Sequence, residues 1–252
     1  MRIVICLLVC MLLISCTTQP AGQTSAVRAE KNIEAAALNT DLGAKYLANG
    51  DHQLSEDKLS RALEQNPNYA PAHWTYALLQ ERLGRFDLAE KYFRSAIKLD
   101  PSDSRGKNNF GTFLCKQKRY QEADEFFKQA LDDPLYPFKS SANINAGVCA
   151  MAIPAYPLAE GYFQSVLDLD PGNRVALYQM GKLHFETDSL IEARGYLKGF
   201  ERVSQHTSES LWLAYRIEKG LGNSLEANTY ARRLEQTFPT SREANQLAKI
   251  RK

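Results

Sequence analysis

No stretch of this sequence is long and apolar enough to cross a bilayer: the apolar run at residues 3–14 falls well short of the ~20 residues required. Blocks of one charge are missing as well. Lys and Arg total 31 against 29 Asp and Glu, the formal net charge is +2, and a basic face for nucleic acid has no support. Histidine is scarce. His52, His73, His184 and His206 lack partners at metal-ligand spacing, and no His-Glu-x-x-His occurs. There is no G-x-S-x-G, no phosphate-binding Walker loop and no dinucleotide fingerprint. The carboxylate clusters Asp132-Asp133 and Asp168-Leu169-Asp170 stand before prolines and read as loop residues at helix ends rather than general acids. These absences argue against an enzyme, a metal site, a cofactor or a small-molecule substrate.

What is present begins at the N-terminus. Arg2 precedes the short apolar run, which stops at Leu13-Ile14-Ser15-Cys16 and turns at once into Thr, Gln, Pro and Gly. This order is that of a secretory signal peptide, and the residues at the cut resemble a bacterial lipobox. The resemblance implies a signal peptide over 1–15, cleavage before Cys16, a diacylglyceryl thioether on its sulfur and acylation of the new N-terminus. One acyl chain binds a membrane marginally and two or more hold it stably, so the lipid would anchor the chain without a spanning helix. Thr17 in place of Asp implies, by the same resemblance, sorting to the periplasmic face of the outer membrane. Residues 16–35 lack an apolar period and contain Pro20 and Gly22, so they read as the lipidated cysteine and a flexible tether. Cleavage removes only Arg2 among the charges, leaving +1.

The body is repetitive. A small residue after a bulkier one recurs at Gly43, Ala77, Gly111, Gly147 and Gly181, with Tyr215 in the sixth place; the spacings are 34, 34, 36, 34 and 34. Twelve residues after each come Ser55, Ala89, Ala123, Ala159, Ala193 and Ala227. Four further on stand Leu59, Phe93, Phe127, Phe163, Leu197 and Ala231. Prolines 67, 101, 134, 171 and 239 close most units, because proline cannot continue a helix. Within a unit, apolar residues recur at helical spacing, as do Tyr76, Leu79 and Leu83, and Gly84 marks the turn.

This register resembles the tetratricopeptide repeat. The resemblance implies an all-α, right-handed superhelical solenoid. Six helix hairpins occupy 36–69, 70–103, 104–139, 140–173, 174–207 and 208–239, and a capping helix lies within 240–252. A single hairpin cannot bury its apolar face, and stacking makes the core continuous. Thr240-Ser241-Arg242-Glu243 reads as a capping box opening that last helix. Tyr215 in a small-residue position predicts less regular packing in repeat six. The two extra residues in "DDPLYPFKSS" predict a longer loop between repeats three and four. His184, at the eleventh position of repeat five, reads as a packed core histidine.

The repeats leave no room for a catalytic domain, so function is sought in the concave groove. In the tetratricopeptide fold that groove is lined by residues 2, 5, 9, 12 and 13 of each first helix, which here include Leu47, Trp74, Leu78, Asn108, Ile144, Val148, Met151, Tyr178, Phe185 and Trp212. The lysine-asparagine clamp of chaperone-tail binders is absent, since Thr40, Trp74 and Asn108 stand where it needs lysine. An apolar groove suits a hydrophobic or amphipathic peptide, with packing between hairpins as the alternative role of these side chains. Cys115 and Cys149 lie on the stacked first helices of repeats three and four. In an oxidising compartment they form a candidate disulfide; two buried free thiols are the alternative.

The blocks "KNNFGTFLCKQKRYQEADEFFKQAL" and "DPLYPFKSSANINAGVCA", with "FPTSREA" near the end, resemble the type IV pilus biogenesis lipoproteins of the PilF/PilW pilotin family. That resemblance implies a non-enzymatic scaffold whose partner is the outer-membrane secretin subunit and which promotes secretin localisation and multimer assembly. The alternative is a tetratricopeptide adaptor lipoprotein serving peptidoglycan enzymes or outer-membrane protein assembly.

Overall fold

The computed structural model of the protein describes residues 21–251. The signal segment and Cys16 lie outside the described residues. Those described form thirteen helices and no strand. Six hairpins follow in order: α1 (Ala21–Asn49) with α2 (His52–Gln65), α3 (Ala70–Arg82) with α4 (Phe86–Leu99), α5 (Ser104–Lys116) with α6 (Tyr120–Leu131), α7 (Lys139–Met151) with α8 (Tyr156–Leu169), α9 (Arg174–Glu186) with α10 (Leu190–Val203), and α11 (Ser208–Gly220) with α12 (Ser224–Thr237). A last helix, α13 (Arg242–Ile250), covers the end.

Each first helix packs on its own second helix and also touches the first helix of the next hairpin, from α1 through α3, α5, α7, α9 and α11 to α13. Neighbouring second helices meet through side chains, as where Arg94 of α4 reaches Glu122 of α6 at 2.8 Å, the Tyr162 hydroxyl of α8 donates to Asp124 of α6 at 2.6 Å and the Tyr230 hydroxyl of α12 donates to Glu201 of α10 at 2.6 Å. Neighbouring first helices instead approach backbone to backbone. The first helices therefore form a continuous inner wall, and the residues that line the groove come from them.

The predicted small-to-bulky pairs explain how the hairpins close. A Cβ added to Gly43 would overlap the Leu59 side chain, and one added to Gly147 would overlap Phe163. Only a residue with no Cβ lets those helices approach so closely. Ser55, fully buried, spends its hydroxyl on the carbonyl oxygen of Gly43, at 2.9 Å, and so fits a place that is otherwise alanine. The core between repeats two and four is aromatic. Phe93, Phe110, Phe113 and Phe127 are at most 1% exposed, with Phe93 5.4 Å from Phe110 and 5.3 Å from Phe113 between ring centroids. Burying each such ring stabilises by roughly 2–3 kcal/mol.

Two sequence expectations are corrected. The tether over 16–35 is not structureless where it is described, because α1 starts at Ala21. After Pro20, which suits a helix start, the segment is dense in Ala, Gln, Glu, Lys and Arg, all strong helix formers. An apolar period measures a buried face rather than helicity, so its absence does not exclude a helix. Ser241 rather than Thr240 caps α13, its side chain accepting the Ala244 N–H at 3.1 Å, so the expected capping box does not form there. In repeat six the bulk has moved rather than been lost. Tyr215 is 5% exposed and its partner position holds Ala231, fully buried. The loop after α6 is longer and is pinned by Tyr136, buried against Ala130 and Ala142. His184 stacks on Tyr196 at 5.2 Å.

Candidate functional site

At the N-terminal end of the inner wall, Leu47 on α1 and Trp74 and Leu78 on α3 line one open cavity of about 470 Å³, with Ala44, Ala48 and Arg82. Trp74 and Leu78 are half-buried and also pack against the aromatic core, so each contributes to the groove and to the joint between repeats. The indole N–H of Trp74 is buried without an acceptor among the described residues.

The middle of the wall behaves differently. Asn108 is 7% exposed, and its side-chain oxygen accepts from the Asn145 amide at 3.2 Å across the α5–α7 joint. Ile144 and Met151 pack against the C-terminal core, and Val148 is 42% exposed. The structure joins Cys115 on α5 to Cys149 on α7 across the same joint, with Cα atoms 5.8 Å apart.

At the far end Tyr178 and Trp212 floor a second open cavity of about 330 Å³, rimmed by Lys182, Glu186, Glu209 and Arg216. Trp212 stacks on Tyr215 at 5.4 Å, and the Arg216 guanidinium lies 4.3 Å above the Phe185 ring. Burial, and then the nearby carboxylates of Glu209 and Glu243, raise the Tyr178 phenol above its ordinary pKa. The ten groove residues read from the sequence thus divide into two aromatic floors separated by a joint, and no single pocket unites them.

Sequence reasoning missed one constellation. His206, on the α10–α11 loop, places Nδ1 2.9 Å from Ser210 Oγ and Nε2 2.9 Å from Glu201 Oε1. This has the order of a serine–histidine–carboxylate relay, yet Ser210 is fully buried. Its hydroxyl is spent on the α11 capping box, accepting from the Thr207 N–H at 2.8 Å and donating to the Thr207 carbonyl at 3.1 Å. A nucleophile must meet a substrate carbonyl, and this oxygen meets only its own turn. The available signal was the missing proline at the end of repeat five, where His206 and its partners close the unit instead. No group of three or more His, Cys, Asp or Glu among the described residues is placed to hold a metal ion.

Tetratricopeptide-repeat family models match residues 40–104 and 107–133. The type IV pilus assembly protein PilF of Pseudomonas aeruginosa is 29% identical over 232 residues, 92% of this chain and 91% of that one. A solved structure from the functional characterisation of P. aeruginosa PilF superposes with a TM-score of 0.76, covering 87% of this chain and 99% of that one. The crystal structure of PilW, described as a widely conserved type IV pilus biogenesis factor, gives 0.79 at 29% identity, covering 84% and 98%.

Proposed function

We propose that this chain, a tetratricopeptide-repeat homologue of PilF and PilW, is a pilotin. In this reading it is a lipid-anchored, non-enzymatic scaffold in type IV pilus biogenesis that holds the secretin subunit and promotes its localisation and multimer assembly at the outer membrane. The observation that carries this reading is the correspondence with PilF, which spans 92% of this chain and 91% of that one and extends to the fold. The inner wall supports it, because an aromatic-floored groove on a rigid solenoid suits a peptide segment of a partner. Cys16 would supply the anchor, since no helix among the described residues is long and apolar enough to cross a membrane.

The test is secretin multimer level and location in a deletion strain complemented with wild-type protein, Cys16→Ala or Leu47→Ser. Leu47 lines the groove outside the buried core, so Leu47→Ser is expected to keep its melting temperature while secretin multimers fall. Cys16→Ala is expected to mislocalise them. Normal outer-membrane multimers in the deletion strain would remove the pilotin reading and favour an adaptor for another envelope machine.

A further inference from the structure

The cavity around Trp74 does not end at its apolar side. Ala44, Trp74 and Thr75 also border a second open cavity of about 580 Å³ on the same inner wall, whose chemistry is different. Four carboxylates reach it: Asp41 on α1, Asp100 and Asp103 before α5, and Asp133 before α7. Four aromatic side chains, Tyr69, Trp74, Tyr136 and Phe138, share the wall with small hydroxyl side chains such as Thr40 and Ser104. The two extra residues of repeat three belong to the loop that carries Asp133, Tyr136 and Phe138, so the single irregularity of the repeat spacing builds one side of this groove.

The carboxylates are positioned but not neutralised. Asp103 caps α5 by accepting the Arg105 and Gly106 N–H groups, both at 3.0 Å. Asp100 accepts the Ser102 N–H at 2.9 Å. Asp133 accepts the Leu135 N–H and the Ser104 hydroxyl, both at 2.9 Å. These bonds fix the oxygens of Asp100, Asp103 and Asp133, and none of the four carboxylates is within ion-pair distance of a cation among the described residues. Arg105 is the one cation in the lining, and its guanidinium lies 4.6 Å over the Phe138 ring. Lys107 and Lys139 lie outside the lining and act on Asp133 from beyond ion-pair distance. The lining therefore carries three net negative charges, four carboxylates against one guanidinium, around aromatic faces that attract cations.

We infer that this groove takes a Lys or Arg side chain of the bound polypeptide, placed beside the apolar residue that seats on Leu47, Trp74 and Leu78. The inference rests on the partner-binding reading above and adds the partner's chemistry. A cation over aromatic rings with carboxylates around it gains from both, and the charge would also speed encounter. The apolar floor supplies grip, and the acidic floor sets direction and register along the wall.

Overlapping 20-residue peptides spanning the secretin subunit of the same bacterium provide the test, titrated against the full-length detergent-solubilised protein. Peptides that bind are expected to carry Lys or Arg within about four residues of an apolar anchor. Replacing that residue by uncharged norleucine should weaken binding about tenfold, and raising the salt concentration should weaken the native peptide only. Asp41→Asn should produce a similar loss. Asp41 is exposed on α1 and takes no part in capping, so this variant should keep its melting temperature. Asp133→Asn is the second variant, read only if its melting temperature is also retained. Peptides that bind through Trp74 but ignore both the norleucine change and Asp41→Asn would overturn this inference and leave the pilotin reading standing. Equal competition by spermidine would make the groove a small-cation site and also overturn it. Failure of the intact protein to bind any peptide or the secretin itself would remove both.

Discussion

A Cβ atom placed on Gly111 of α5 would stand 2.9 Å from Cε1 of Phe127 on α6 and 3.1 Å from the Ala123 carbonyl oxygen. Phe127 is 1% exposed, so neither the ring nor the backbone can yield without disturbing the core. Gly111→Ala should therefore destabilise by about 1–3 kcal/mol, the usual range for an overpacked interior. Gly161 on α8 and Gly195 on α10 are the controls, because a Cβ at either meets nothing within 4 Å. Alanine there should stabilise by roughly 0.5–1 kcal/mol through helix propensity alone. Thermal melts of the three variants check the opposite signs.

The sulfurs of Cys115 and Cys149 link two first helices across the joint between repeats three and four, 34 residues apart in sequence. Opening this bridge should cost about 3–4 kcal/mol on the chain-entropy account for a loop of this length. Thiol counting on the denatured, unreduced protein is expected to find neither cysteine of this pair free. Two reactive thiols would assign them to the core as small apolar side chains.

Repetition explains why the fold is legible in the sequence. Each hairpin repeats the same approach of a small residue to a bulky one, so pairs such as Gly43 with Leu59 and Gly147 with Phe163 recur at a fixed spacing that marks the hairpins. Groove residues are harder to read, because a first-helix position faces both the groove and the neighbouring hairpin. Asn108 is buried and Val148 exposed although both occupy inner-wall positions. The acidic groove escapes a sequence reading for another reason. Asp41, Asp100, Asp103 and Asp133 come from three hairpins and converge only once the superhelix is built. The helix from Ala21 escapes because its sequence has helix propensity without an apolar face.

His206 should make the joint of repeats five and six sensitive to mild acid. Its side chain is 5% exposed and is packed against Phe200 and Tyr230. Burial lowers its pKa below the ordinary value of 6.5, Arg233 acts in the same direction, and Glu201 opposes both. The native state therefore prefers the neutral ring. Below pH 6.5 the unfolded chain takes up the proton first, so stability falls as pH drops from about 6.5 toward the lowered native pKa. Glu90, held low chiefly by Arg119, loses its contribution in a separate window below its ordinary 4.5. Melting temperature measured from pH 7.5 to 5 should decline for the wild type and stay flatter for His206→Gln. Parallel curves would show that His206 does not report on this joint.

Repeat six offers a test of volume exchange. In the first five repeats the eighth residue is glycine or alanine and the twenty-fourth is leucine or phenylalanine, but here Tyr215 and Ala231 occupy those places. Both are buried, and Tyr215 gains a stacked partner in Trp212 and the Lys219 ammonium 5.7 Å from its ring. Tyr215→Gly alone should leave a cavity and cost about 3–5 kcal/mol, as for other large aromatic truncations. Ala231→Phe alone should overpack and cost about 1–3 kcal/mol. The double variant restores the pairing used by Gly147 and Phe163, so it should recover part of the loss, with a coupling of about 0.5–3 kcal/mol between contacting positions. Denaturant unfolding of the four proteins measures that coupling. Strict additivity would mean that Tyr215 fills space toward Trp212 and the groove rather than toward α12.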